Sequence, residues 1–320
     1  MSKSKEPQYI RPKKIDKRST FTQRLVWRLE TLAWDLVYWF PMKMLGPDRA
    51  SNFTGALLRR LGPLLSQHKT VTRNLRLAFP DKTSAEIETI ALAAWESVGR
   101  TAGELPHLKS IHPYNSGRVK VIGAEYLDEI QASDKGAILF SGHFANFEIM
   151  GAAICRRPVD CLITYRAINN PHIDRRINKV RHDYGIDVLV PKGLGTREIM
   201  RVLGAGNCVA LMNDQKFNKG LSVPFFGYPA MTAPGPSRLA IKYDVPMVFL
   251  TTRRVGPARF EVKIHPPFYP NATGDPDADL RSSVEHINKL IETEVRANPE
   301  QWFWQHRRWP KQVWRDAGIL

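Results

Sequence analysis

Two side chains capable of acid-base chemistry stand five positions apart in one short run, His143 and Glu148 of Gly136-Ala-Ile-Leu-Phe-Ser-Gly-His-Phe-Ala-Asn-Phe-Glu148. Imidazole takes up and releases protons near neutral pH, so a histidine offered to substrate can act as a general base. A carboxylate against the ring would fix its tautomer and stabilise the imidazolium, and Glu148 is the candidate for that orienting role. A lone histidine near a glutamate is more often a structural pair, and it is the context that favours chemistry. The apolar run 136–141 reads as a buried strand that stops at Ser141-Gly142 and delivers His143 at its carboxyl end, which is the edge where open α/β sheets bind ligands. A helix expected to start at about Phe144 or Ala145 brings Glu148 within its first turn or two, where it can fold back toward the ring. The N–H groups of that helix start could help hold an anion.

The chain has no Ser or Cys in a GxSxG elbow, so a covalent serine-hydrolase route lacks its nucleophile. Direct transfer fits better, with His143 taking the proton of an acceptor hydroxyl as its oxygen attacks an activated acyl carbonyl. No HExxH occurs, and Cys155, Cys161 and Cys208 have no CxxC spacing, so neither a metal site nor a disulfide framework is expected. Arg166 follows the apolar run 160–165 and projects at a strand end, where a guanidinium can bind phosphate or carboxylate; a solvated surface arginine is the alternative. Pro224, Phe225, Phe226, Gly227, Tyr228, Thr232 and Gly235 form a stretch rich in turn and aromatic residues, suited either to an acyl groove or to plain packing.

These groups need a scaffold, and from Val119 onward short β-rich runs alternate with helical ones, the pattern of a mostly parallel central sheet covered by helices. Strands are expected at 136–141, 160–164, 188–190, 208–212, 245–252 and 260–264, and helices at 146–153, 173–184, 196–203, 237–243 and 279–296. The fold class is therefore α/β, with an N-terminal helical, membrane-associated segment. Residues 1–20 read as a disordered basic arm, 21–108 as helical, with segments to about Pro41, 50–65, 70–79 and 84–105, and 109–320 as the α/β core; 21–320 reads as one folded unit.

Lys and Arg number 47 against 31 Asp and Glu, a formal +16 that must attract a polyanion. Nucleic acid is disfavoured, since no zinc finger, RNA-recognition aromatic motif or basic recognition helix is present. An anionic membrane surface is the better partner. The segment 21–40 is interrupted by Arg24, Arg28, Glu30 and Asp35, too often for a spanning helix, but Leu25, Leu29, Leu32, Leu36 and Trp39 recur at helical spacing and suit a helix lying in the interface. Nothing at the N-terminus reads as a secretory signal, so a cytoplasmic location is expected. In the aromatic, basic tail, Trp302, Phe303, Trp304 and Trp309 beside Arg307 and Arg308 suit either headgroup contact, with Trp304, Arg307 and Arg308 on phosphate, or a segment docked on the core.

The run 141–148 resembles the His-x4-Glu motif of the glycerolipid acyltransferase superfamily, and specifically the late acyltransferases of lipid A biosynthesis, the lauroyl and myristoyl transferases. Further stretches match that family in the same order: Tyr165-Arg-Ala-Ile-Asn169-Asn170-Pro171 continuing to Arg181, Asn213-Asp214-Gln215, the stretch from Val223 to Gly235, and Pro299-Glu-Gln-Trp-Phe-Trp-Gln-His-Arg-Arg-Trp309. One His-x4-Glu is a weak signal, whereas five ordered matches within 21–309 are a strong one. The resemblance implies an enzyme at the cytoplasmic face of the inner membrane that takes an acyl chain from acyl carrier protein and esterifies a hydroxyl of an acylated lipid A precursor. The resemblance calls for no cofactor. Another lysolipid or glycolipid is the alternative acceptor, and a non-enzymatic anionic-membrane or nucleic-acid-binding protein the alternative class. The resemblance gives His143 the role of base and Glu148 that of orienter, and puts Arg166 near the acceptor phosphate or the thioester carbonyl. Asp214 and Gln215 help build the same pocket under it, with Asn169, Asn170, Phe225, Phe226, Gly227, Thr232 and Gly235 as further substrate-binding residues. The segment 21–40 is less apolar than the anchor many members of that family carry.

Overall fold

The structure, a computed structural model, describes residues 19–133, 135–155, 161–186, 189–191 and 196–320. The basic arm read at 1–20 lies outside the described residues except for Ser19 and Thr20. Thr20 opens α1 (Phe21–Trp34), its hydroxyl accepting from the Gln23 N–H at 3.2 Å. A π-helical turn at Asp35–Trp39 leads into α2 (Phe40–Leu45), followed by α3 (Pro47–Leu61), α4 (His68–Ala78) and α5 (Ser84–Glu104). The cap of α5 is Thr83, whose side chain and that of Glu86 satisfy each other's backbone N–H in a capping box.

The sheet-forming half runs β1 (Val119–Ile122), α6 (Glu125–Ala132), β2 (Ile138–Ser141), α7 (Glu148–Cys155), β3 (Cys161–Tyr165), α8 (Pro171–Tyr184), β4 (Leu189–Pro191), α9 (Thr196–Gly204) and β5 (Cys208–Met212). It continues through β6 (Leu221–Phe225), β7 (Tyr228–Thr232), α10 (Gly235–Tyr243), β8 (Met247–Gly256), β9 (Arg259–Ile264), α11 (Pro276–Ala297) and α12 (Lys311–Asp316). Among the described residues seven strands form one sheet in the order β1-β9-β8-β2-β5-β3-β4, parallel except where β9 meets β8. Both faces are covered. Ile138 and Phe140 of β2 join a cluster with Leu75, Trp95, Trp304 and Trp309, while Leu139 joins another with Ile149, Ile154 and Tyr184. That double burial explains why the strands read as unbroken apolar runs.

The helices α6 and α12 and the strands β1, β6 and β7 were not among the elements expected from the sequence. β1 is a four-residue edge strand, and β6–β7 is a separate antiparallel hairpin carrying Pro224 and Pro229. Proline argues against a central strand but is tolerated in a two-stranded ribbon. Its turn residues Phe226 and Gly227 both lie in the left-handed region, at φ 53° and 77°, as a tight hairpin with right-handed strand twist requires.

Two of the four charges that interrupt the apolar pattern of 21–40 reach the protein: Asn170 donates to Glu30 at 3.0 Å and to the Trp27 carbonyl at 2.9 Å, and Arg176 pairs with Asp35 in the π-helical turn, while Arg24 and Arg28 are exposed. Leu29, Leu32 and Leu36 are left 57%, 55% and 60% exposed, with Phe21, Val37 and Met44 more so. Among the described residues no helix is long and apolar enough to cross a membrane.

Candidate active site

β2 and β5 are parallel neighbours, with Ser141 opposite Met212, so the residues just past their carboxyl ends, His143 and Asp214, meet. The Asp214 carboxylate accepts from the His143 backbone N–H at 2.7 Å and sits 2.8 Å from His143 Nδ1. The indole N–H of Trp302 donates to it at 2.9 Å. Burial alone would push the Asp214 carboxyl up, but the attraction and hydrogen bonds of His143, with the Trp302 bond, outweigh it and hold the pKa at about 2. Gly142 permits the approach, because a Cβ there would stand 2.9 Å from the Phe144 ring and 3.3 Å from Asp214 Cβ.

The orienting carboxylate at Nδ1 is thus Asp214, and the role assigned to Glu148 needs correcting. Glu148 accepts from Arg181 Nε at 2.9 Å and Nη2 at 2.5 Å, a two-pronged pair between α7 and α8. Burial would lower the Arg181 pKa, but Glu148 raises it, so the guanidinium stays charged. The physical reason is the chain path after the histidine. α7 begins at Glu148 rather than at Phe144 or Ala145, because Ala145 takes the left-handed φ of 42°. Its N–H donates to the Gln301 carbonyl at 2.6 Å and its carbonyl accepts from Thr101 at 3.0 Å. Asn146, just before α7, accepts from the Glu148 N–H at 3.2 Å and donates to the buried Glu104 at 2.9 Å.

A cavity of about 520 Å³ opens at this edge. His143, Glu148, Arg166, Arg181, Gln215 and Lys216 line its polar end. Leu139, Met150, Gly151, Ile154, Ile163 and Ile186 line its apolar part. The His143 ring packs edge-on against Phe147, with centroids 4.9 Å apart. Asn213, 3% exposed, also lines the cavity, and its side-chain Nδ2 has no hydrogen-bond partner among the described residues. A ligand acceptor is what such a buried amide lacks.

Of the residues anticipated from sequence, His143, Glu148, Arg166 and Gln215 reach the cavity, while Asp214 stands behind the histidine. Asn169 is exposed in the turn before α8, and Asn170 caps that helix and ties it to α1. The proposed acyl groove is a correction: Phe225 and Phe226 are buried among Trp302, Trp304 and Trp309, and Gly227 turns the hairpin. Thr232 is likewise internal, holding Arg308 and Asn288, and Gly235 begins α10. None of those five is among the described residues lining the cavity.

The tail is a second correction. Trp304 and Arg308 are fully buried and so unavailable to headgroups, while Arg307 next to them is exposed. Arg308 donates to Thr232 at 2.7 Å, Asn288 at 3.1 Å and the Met231 carbonyl at 3.1 Å, and burial pushes its pKa down to about 10. Sequence reasoning gave Arg181 and Asn213 no place in the site and did not foresee the bond from Trp302 to Asp214. A signal for Asn213 was present, since it follows a buried strand as His143 does.

The family model of the bacterial lipid A biosynthesis acyltransferases matches residues 13–311. The chain is 28% identical over 245 residues to the lipid A biosynthesis lauroyltransferase of Escherichia coli K12, covering 75% of this chain and 78% of that protein. It is 27% identical to the lipid A biosynthesis palmitoleoyltransferase of the same organism, over 79% and 81% of the two chains. A phosphatidylinositol mannoside acyltransferase of Mycobacterium tuberculosis H37Rv is 27% identical over 53% of this chain and 56% of its own length.

Proposed function

Because the chain belongs to the bacterial lipid A biosynthesis acyltransferase family, and is an acyltransferase by that membership, we propose that it acylates a hydroxyl of a lipid A precursor. The acyl donor is a carrier-protein thioester. The observation that carries this reading is the His143–Asp214 pair at the mouth of an apolar cavity.

An Nδ1–H donating to the Asp214 carboxylate puts the basic lone pair on Nε2. His143 Nε2 takes the proton from the acceptor hydroxyl as its oxygen bonds to the acyl carbonyl carbon. The tetrahedral intermediate then expels the carrier thiolate, and the imidazolium returns the proton to that sulfur. The buried Asp214 carboxylate stabilises the imidazolium between those events. Asn213 supplies an N–H to the carbonyl oxygen as negative charge gathers there. Arg166 and Lys216 meet acceptor phosphate at the mouth, and the Glu148–Arg181 pair locks α7 to α8 beside it.

Helix α1 is the membrane-facing element of this reading. Its leucines point outward, its polar groups bond to α8 through Asn170, and Asn170 lies four positions from the cavity-lining Arg166. An apolar face of that kind can rest in the interface beside the cavity mouth, on an anionic leaflet that also attracts the chain's positive charge. The reading places the enzyme at the cytoplasmic face of the inner membrane.

The similarity to the mannoside acyltransferase favours one second reading, in which the same machinery acylates a glycolipid hydroxyl other than that of a lipid A precursor. Mass spectrometry of lipid A from cells with the chain deleted, or complemented by wild type or His143→Ala, separates the two. Loss of one secondary acyl group, restored by wild type alone, is expected. Unchanged lipid A in the deletion strain overturns the lipid A acceptor, and restoration by His143→Ala overturns the mechanism.

A further inference from the structure

Resting on the acyl-transfer reading above, we propose that Gly151 and Ile186 together set the length of the acyl chain the cavity accepts. α7 starts at the mouth with Glu148 and runs along the cavity; at about 1.5 Å per residue, Gly151 lies about 4.5 Å and Ile154 about 9 Å beyond it. The strands give a matching depth, since Leu139 lies about 7 Å inward of Ser141, as Ile163 does of Tyr165. The transferred chain, with its carbonyl at His143, therefore passes Gly151 before it reaches Ile154 and Ile163.

At that point the wall is Ile186 lying against the helix. A Cβ at residue 151 would stand 2.5 Å from Ile186 Cδ1, 3.1 Å from its Cγ1 and 3.4 Å from Ile163 Cδ1. Glycine is what lets Ile186 fold back onto α7. Ile186 is 3% exposed and belongs to a close-packed cluster, so the open volume it borders is the cavity. Atoms displaced by a methyl group at 151 move into the space the chain would occupy. Trimming Ile186 has the opposite effect and opens space beside Gly151. Both residues act by touching the acyl tail, away from the atoms that react.

The test uses the purified full chain with a homologous series of saturated acyl thioesters on carrier protein, reading kcat/KM for each length. One methylene more or less in an apolar pocket discriminates by about 10- to 200-fold. Gly151→Ala is expected to lower the long-to-short ratio of kcat/KM by tenfold or more. Ile186→Ala should shift the optimum to longer chains, and the double variant should return toward the wild-type profile. A length profile unchanged in both single variants overturns the proposal, even where overall rates fall. Ile186→Ala adds no atoms, so it decides the matter if Gly151→Ala fails to fold. His143→Ala run alongside separates the two levels: if it transfers like wild type the underlying reading fails, whereas if it is inactive and all length profiles coincide only the length gauge fails.

Discussion

Asparagine at position 214 is the smallest change that should disable the site. The Asp214 carboxylate gathers two N–H donors on one oxygen, the His143 backbone at 2.7 Å and Trp302 at 2.9 Å, and faces His143 Nδ1 with the other at 2.8 Å. Asparagine has a single acceptor oxygen, and the two converging donors hold it on their side. Its NH2 then faces Nδ1, which must accept, so the ring proton moves to Nε2 and the base is lost. The charge matters as well: a carboxyl at about 2 against an ordinary 3.8 reflects about 2 kcal/mol of preference for the ionised form. Loss of both tautomer control and imidazolium stabilisation should lower kcat by about 10³- to 10⁴-fold, or about 4 to 5.5 kcal/mol of barrier. Single-turnover transfer from a carrier thioester, with the melting temperature measured alongside, is the assay. An Asp214→Asn variant within tenfold of wild type and folded normally would refute the reasoning. The same depressed pKa sets a stability window. Its contribution is fully present above about pH 4 and is lost as pH falls toward 2, so the stability difference between wild type and Asp214→Asn should close over that interval.

Replacing Leu29 and Leu36 together by Glu should weaken sedimentation with anionic vesicles by about tenfold or more, since each buried leucine contributes about 1.5 to 3 kcal/mol. Retained binding would remove α1 from the membrane contact. Asn213→Ala should lower kcat about 10²-fold while leaving the melting temperature unchanged or higher, because the amide it deletes has an unpaired Nδ2. A lower melting temperature would assign Asn213 to the fold instead. Arg308→Met should destabilise the protein by about 1 to 3 kcal/mol in urea by stranding Thr232 and Asn288, whereas exposed Arg307→Ala should change it by less than about 0.5 kcal/mol.

The position of His143 could be read from the chain because it depends on local order: a buried strand, a glycine, then the ring. Its partner could not, because Asp214 lies 71 residues away and reaches it only through the adjacency of β2 and β5. Five intervening elements, α7, β3, α8, β4 and α9, separate those strands in sequence, and nothing in either strand names its neighbour. Glu148 had the right spacing and met Arg181 instead, since the left-handed Ala145 delays the helix. The tail failed for a different reason. Tryptophan and arginine together suit both a wet interface and a hydrogen-bonded interior, and only packing against Thr232 and Asn288 tells which. The helical first third and the central-sheet strands other than the short edge strand β1 came through well because their burial follows simple periods, whereas the β6–β7 hairpin was hidden by its prolines.

The clasp on Ala145 ties catalysis to the order of synthesis. Gln301 and Phe303 bond to the backbone on either side of the turn that follows the strand, and Trp302 bonds to Asp214. On the ribosome, a nascent polypeptide has translated both His143 and Asp214 long before these three residues emerge. Until they dock, the turn lacks its brace and the carboxylate one of its donors. Competence therefore arrives late, and a truncation that spares every cavity-lining residue should still be inert.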